Sequence, residues 1–222
     1  ELIASGTASA KRSTKDYGGI ILRESERLSA LVDNVLDFSR IERNELVYQL
    51  TEGDIVPVLE RIIDIQQKRC EQSSARLRYL PPGRPIRFAF DEAAISLLFL
   101  NIIENGIKYG VPEYRDSASI GTTDEQPDQL IIVGLAEHDD TVIFSVDDNG
   151  PGIPATEQAL IFERFYRSKR AREGSQRGSG IGLNLAKHIA DAHGAKIDIK
   201  SDQETGTIFS VAFPRRRVEQ KN

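Results

Sequence analysis

Residues Asp91 to Tyr109 form a segment that is apolar on almost every side, and this constrains the fold more than any other stretch of the chain. Ile95, Phe99, Leu100, Ile102, Ile103 and Ile107 cover most of the helix that this spacing predicts, whereas an ordinary surface helix has a broad polar face. Asn101, Asn105 and Lys108, spaced i, i+4 and i+7, fall on one narrow stripe with Glu104 beside them. A polar stripe on an otherwise apolar helix is expected to face a lined cleft. There, two amides and an ammonium can meet oxygen ligands. An Asn oxygen suits a hard cation such as Mg²⁺, which keeps several waters and binds few protein groups besides phosphates. Lys108 adds a point charge for those phosphates. Alternatively, the two asparagines simply face solvent, as most helical asparagines do.

Two glycine-rich stretches follow and favour the cleft. Asp148-Asn-Gly150-Pro-Gly152 comes after the alternating run Thr141 to Val146, at the end of a predicted strand. A carboxylate there can accept a hydrogen bond from an exocyclic amine, and Gly150 and Gly152 let backbone pass close to a flat ring. Gly178-Ser-Gly180-Ile-Gly182-Leu183 opens a predicted helix running to His193, and amides at a helix N-terminus suit anionic phosphate. Either stretch alone reads as a plain turn. Competing nucleotide motifs fail. No G-x-x-x-x-G-K-[ST] occurs, the 178–183 stretch is not preceded by a strand as a dinucleotide fold requires, and neither H-R-D nor D-F-G is present.

The order Asn101-(x)3-Asn105-(x)2-Lys108-Tyr109, Asp148-x-Gly150-x-Gly152, Phe162-Glu-Arg-Phe165-Tyr166-Arg167 and Gly178-x-Gly180-x-Gly182 resembles the four boxes of sensor histidine kinases. These belong to the ATPase group that includes gyrase B, the Hsp90 chaperones and MutL. The match covers roughly residues 46 to 214, and Arg27 to Glu42 resembles the second helix of the family's dimerisation and phosphoacceptor hairpin. The resemblance implies that Asn105 binds Mg²⁺. Asn101, Lys108 and Arg167 would act on the triphosphate of ATP, and Tyr109 would line the adenine side. Asp148 would take the adenine amine, with Gly150, Gly152 and Ile153 shaping its pocket. Gly178, Ser179, Gly180, Ile181, Gly182 and Leu183 would hold the phosphates under a mobile lid. It further implies transfer of the γ-phosphoryl group to a histidine, and from there to an aspartate of a response-regulator receiver domain. A catalytically inactive nucleotide-binding module is the alternative. An ATPase or anti-sigma Ser/Thr kinase of the same group would lack the Arg27–Glu42 pattern.

The chain departs from the family in two places. The N-terminal helical segment has no histidine, and the only three, His138, His188 and His193, are expected to be surface or partly packed residues. The start at Glu1 without Met leads to the expectation of a truncated hairpin that has lost its acceptor. Second, Gly110 to Gln129 is long, polar and broken by Pro112 and Pro127, which predicts a tolerated surface insertion.

The resulting organisation has a partial dimerisation hairpin over 1–45, an ATP-binding domain over 46–214 and a solvated tail over 215–222. Ile21, Leu28, Leu31, Val35 and Phe38 form a seam within Tyr17–Ile41 that predicts a homodimer. The fold class expected is a two-layer α/β sandwich with one mixed sheet, preceded by one long dimerisation helix. Strands are predicted at Leu46–Leu50, Leu77–Leu80, Ile86–Phe90, Leu130–Ala136, Thr141–Asp147, Lys196–Lys200 and Thr207–Phe213, with a helix over Asp54–Gln72. The basic run from Arg167 to Arg177 lacks apolar anchors and is expected to be the nucleotide lid, based on Phe162 and Phe165 as packing residues. A net charge of −5 implies neither nucleic acid nor an anionic membrane as partner. The single Cys70 fits a reducing compartment. With no spanning stretch, the expected location is cytoplasmic, a membrane link coming only through a sensor region upstream.

Overall fold

The computed structural model describes residues 18, 47–71, 75–110, 129–173, 178–202 and 205–215. Residues 1–46 and 47–222 form separate compact units, and every described residue except Gly18 lies in the second. The predicted dimerisation helix, most of the 110–129 insertion and part of the lid therefore fall outside the described residues.

The second unit is built from β1 (Thr51–Asp54), α1 (Ile55–Cys70), β2 (Ala75–Leu80), β3 (Arg87–Phe90), α2 (Glu92–Tyr109), β4 (Gln129–His138), β5 (Thr141–Asp148), the short α3 (Lys169–Glu173), α4 (Gly182–Ala192), β6 (Lys196–Asp202) and β7 (Gly206–Pro214). Five strands form a mixed sheet in the order β2-β4-β5-β7-β6. β2 runs parallel to β4, and the other three pairings are antiparallel. α1, α2 and α4 pack on this sheet and on one another, giving the expected two layers.

The single sheet expected from the sequence is in fact two, because β1 and β3 pair only with each other. The first strand is also displaced. Val47–Leu50 makes no strand pairing, and β1 begins at Thr51, where Gly53 leaves room for the Phe90 ring at 3.3 Å from the position a Cβ would take. Aromatic packing against β3 thus selects the register over the apolar alternation upstream.

The core is a chain of phenylalanines. Phe99 of α2 lies 4.2 Å from Phe144 of β5 between ring centroids and meets Phe213 of β7 edge-on at 6.4 Å. Phe213 continues to Phe88 at 5.7 Å, and Phe88 to Phe90 at 5.0 Å, which ties the small sheet to the large one. All five rings are buried.

Two aspartates fix the long helices at their starts. Asp54 caps α1 by accepting from the N–H of Val56 at 3.1 Å, and the same oxygen accepts from Ile86 N–H. Asp91 caps α2 through Ala94 N–H at 3.0 Å and also accepts from Gln49 N–H at 2.9 Å. The Asp91 backbone N–H donates in turn to Nε2 of His193 at the end of α4. His193 is 5% exposed, its Nδ1 donates to the Ile189 carbonyl at 2.7 Å, and Tyr48 packs edge-on against its ring. Burial holds its pKa below the usual value, only partly offset by the Ile189 bond and by Asp91. The ring is therefore neutral and joins the starts and ends of two helices.

Arg215, at the start of the tail, is less free than expected. Its N–H donates to Asp140 O at 2.8 Å, its guanidinium pairs with Glu137, and Arg84 pairs with the other oxygen of the same carboxylate.

Two outcomes follow from this packing. Phe99→Ala should lower the unfolding free energy by about 3–5 kcal/mol. His193→Ala should cost about 2 kcal/mol by leaving the Asp91 N–H without its acceptor. A depressed folded pKa gives stability that is present above the unfolded value and lost as pH falls. The difference between wild type and His193→Ala in urea unfolding should therefore shrink below about pH 6.5.

Candidate functional site

The site is organised by how closely α2 approaches the sheet. Gly106 is buried within the helix, and a Cβ there would lie 3.2 Å from Val146 Cγ1, 3.7 Å from Ile131 Cγ2 and 3.9 Å from Asp148 Cβ. The missing side chain lets the last turns of α2 lie against β4 and β5. A helical glycine costs about 1 kcal/mol relative to alanine, and here it is used for contact. As a result, the α2 C-terminus meets the turn after β5. A Cβ on Gly150 would lie 2.8 Å from the Tyr109 carbonyl oxygen, 2.8 Å from Gly110 Cα and 2.7 Å from Asp148 Oδ1.

Asp148 ends β5 at the floor of this junction and is 5% exposed. Its Oδ1 accepts from the Gly150 N–H at 3.0 Å, and the Thr207 N–H across the β5–β7 ladder also bonds the carboxylate. Burial nevertheless dominates, with Asp147 adding to it, and pushes the Asp148 pKa up to about 6. Gly206 completes the floor. At φ +106° it adopts a conformation that L side chains rarely reach, and a Cβ there would overlap the Asp148 carbonyl oxygen.

The second glycine stretch runs along the stripe of α2 in the opposite direction. A Cβ on Gly178 would sit 2.7 Å from Lys108 Nζ and 3.2 Å from the Tyr109 hydroxyl. A Cβ on Gly182 would sit 2.5 Å from Asn101 Oδ1. The seven helical steps from Asn101 to Lys108 span about 10 Å of helix, and the five residues from Gly178 to Gly182 lie alongside. Gly180, at φ +70°, is packed against backbone, where a Cβ would lie 2.7 Å from Phe165 C and from Tyr166 O, and its carbonyl accepts from Phe165 N–H. Asn101, Lys108, Tyr109, Gly178 and Gly182 are thus brought together, with Gly150 and Asp148 at the Tyr109 end; Gly152, at φ +68°, lies in the turn that follows. Asn105 is half-buried one turn on from Asn101.

Other predicted residues are placed differently. Ile181 is 3% exposed and belongs to the core, and Ser179 accepts from its N–H. Leu183 is half-buried. Ile153 N–H donates to Ser201 Oγ at 2.7 Å. Glu104 turns away from the stripe and pairs with Arg69 of α1. Arg167 directs its guanidinium to the Ala171 carbonyl and accepts at its own carbonyl from Arg172 Nε. The lid run was expected to lack apolar anchors, but it contains the helix α3, whose Ala171 is buried. Phe165 was expected to be a packing residue but is 56% exposed, because the backbone at φ +60° turns its ring outward under Arg164 while the main chain packs on Gly180. Phe162 fits better. It is half-buried, and its carbonyl accepts from Asn184 of α4. Gly106, Gly206, Thr207 and Ser201 were not singled out from the sequence. A glycine inside a strong helical pattern was the one available signal.

Among the described residues no three His, Cys, Asp or Glu side chains cluster as a metal site. The donors along this junction are the Asn101 and Asn105 amides, the Lys108 ammonium and the backbone of the 178–182 stretch. Such a set fits a polyanion with a carboxylate-bound base at one end, and a hydrated hard cation held mainly by that polyanion.

Residues 90–217 match the family model for histidine kinase-, DNA gyrase B- and HSP90-like ATPases. The chain belongs to this family and carries its nucleotide-binding fold. Among curated proteins it is 28% identical over 220 residues to the sensor histidine kinase WalK of Bacillus subtilis, covering 99% of this chain and 34% of that one. It is 31% identical over 212 residues to the signal transduction histidine-protein kinase/phosphatase MprB of Mycobacterium bovis, covering 94% and 38%. A solved structure of a mycobacterial sensor histidine kinase MprB superposes with a TM-score of 0.58 at 24% identity, covering 76% of this chain and 99% of that one. The chain spans little more than a third of the length of these two curated relatives.

The two outer glycines of the second stretch and the middle one should respond differently to substitution. Gly180→Ala meets main chain at a positive φ and should lower unfolding free energy by about 2 kcal/mol or more. Gly178→Ala meets the movable tip of Lys108 and should cost less than about 1 kcal/mol in the same urea titration.

Proposed function

We propose that this chain is the ATP-binding catalytic part of a protein histidine kinase in a two-component signalling system. The observation that carries this reading is the close apposition of the Asn101–Lys108 stripe of α2 to the 178–182 stretch, with the buried Asp148 carboxylate near the C-terminal end of α2. In this reading the Asp148 carboxylate accepts from the adenine amine, and Gly150 and Gly152 leave room for the ring, with Tyr109 and Ile153 beside it. Lys108 and the amides of the glycine stretch face the phosphates, and Asn105 supplies an oxygen to Mg²⁺. Arg167 would leave its Ala171 contact and close with the basic run over the triphosphate. The γ-phosphorus would pass from the bridging oxygen of ADP to a histidine nitrogen, helped chiefly by positioning and charge neutralisation.

The acceptor histidine belongs outside the described site. His138 is exposed beside Asp139, His188 is exposed on α4, and His193 is locked in the α2–α4 junction. The family resemblance supports a dimer through Tyr17–Ile41 and onward transfer to a receiver-domain aspartate. Among the described residues no helix is long and apolar enough to cross a membrane. In this reading the domain works on the cytoplasmic side, with any membrane link made upstream.

Isothermal titration with a non-hydrolysable ATP analogue tests the assignment. Wild type should bind saturably. Asp148→Asn should weaken binding at least about tenfold by removing the charged acceptor, and Asn105→Ala should reduce the gain from Mg²⁺. A folded wild type that takes up no analogue defeats the proposal.

The pH dependence has a defined sign. Asp148 is protonated below about 6, and the protonated carboxyl is a poorer acceptor. Affinity for ADP at saturating Mg²⁺ should fall about tenfold from pH 7 to pH 5, and this component should vanish in Asp148→Asn.

A further inference from the structure

Ser201 lies on β6, outside every motif that defines the site, yet its hydroxyl is saturated by groups that border the Asp148 pocket. It accepts from the Ile153 N–H at 2.7 Å, contacts the Thr207 hydroxyl at 2.8 Å and donates to the Gly206 carbonyl at 3.1 Å. A serine hydroxyl offers one proton and two acceptor positions. Since the Gly206 carbonyl can only accept, it takes the Ser201 proton, and Thr207 must donate to Ser201. All three valences are thereby used. Thr207 is 4% exposed, and its own N–H bonds the Asp148 carboxylate. Gln158 reinforces the same point, its Nε2 donating to the Ile153 carbonyl at 3.0 Å and reaching the Ser201 carbonyl at 3.4 Å.

One hydroxyl therefore joins the loop that leaves Asp148, at Ile153, to the strand that flanks Asp148, at Gly206 and Thr207. Gly150 and Gly152 have little conformational preference of their own, Gly152 sitting at φ +68°. The loop containing them has its far end fixed by the Ile153–Ser201 bond.

We infer that Ser201 is a positioning residue for the base-binding end of the site: it holds the Gly150–Ile153 loop against β7 so that the adenine pocket beside Asp148 is formed before nucleotide arrives. The inference rests on the nucleotide reading above. Ser201 touches no nucleotide itself. It acts through Ile153 and Thr207.

The test uses the full chain with Ser201→Ala, Ser201→Thr and Gln158→Ala. Ser201→Ala should weaken binding of the non-hydrolysable ATP analogue about tenfold and speed hydrogen exchange at the Ile153 amide. Ser201→Thr keeps the hydroxyl at a half-buried position and should restore both readouts. Gln158→Ala removes only the supporting contact and should weaken binding about threefold, and it serves alone if Ser201→Ala does not fold. The inference is overturned if Ser201→Ala, or failing that Gln158→Ala, binds like wild type. It is equally overturned if Ile153 exchange is unchanged, or if Ser201→Thr behaves like Ser201→Ala. Absence of binding by folded wild type instead removes the nucleotide reading and this inference with it.

Discussion

The approach of α2 to the sheet is the constraint from which the site follows. Phe99 stacked on Phe144 fixes where the helix crosses β5, and Gly106, two turns later, removes the side chain that would hold the helix away. The Tyr109–Gly110 backbone then reaches Gly150, and the polar stripe from Asn101 to Lys108 is left facing the 178–182 stretch instead of water. An apolar core contact and a single absent methyl thus position groups that are neither apolar nor in the core. The same economy appears at Asp91, where one residue caps α2 with its side chain and links to α4 with its main chain through His193.

The electrostatics of the floor come from competition between burial and backbone donors. Asp91 and Asp148 are both half-enclosed by N–H groups, but they respond in opposite directions. At Asp91, desolvation is outweighed by N–H bonds from Ala94 and Gln49, aided by His193, and the carboxyl is held below its ordinary range. Asp148 is buried more deeply and has Asp147 beside it, so desolvation wins. A structural cap is thus left charged, while the buried Asp148 carboxylate, which the proposed reading gives to the base, is kept near the point of protonation.

Much of this was legible in the residues, for identifiable reasons. Strands β2 to β7 and the two capped helices lie close to where alternation, helical period and Asp54 or Asp91 place them. The ordered glycines pointed to this junction because such close approach to α2 leaves no room for a Cβ. What could not be read depended on partners remote in sequence. The first strand moved from Leu46–Leu50 to Thr51–Asp54 because Phe90, some forty residues on, packs over Gly53. Arg215 looked like part of a solvated basic tail until Glu137 and Asp140 came beside it. Phe165 looked like an anchor, yet its main chain makes the contact and its ring points away. Ser201 carries no local mark because its importance lies in three bonds made across strands.

The bond from Phe165 N–H to the Gly180 carbonyl also governs how this family member can vary. Phe165 and Gly180 are pinned to each other there, and the bond does not fix the length of chain between them. Doubling the length of a closed flexible loop costs only about 0.6 kcal/mol. Extra residues can therefore be accommodated within that span at small cost while Gly178 and Gly182 stay in register with Lys108 and Asn101. Length and charge between residues 168 and 177 can thus change without moving the bond that closes the loop.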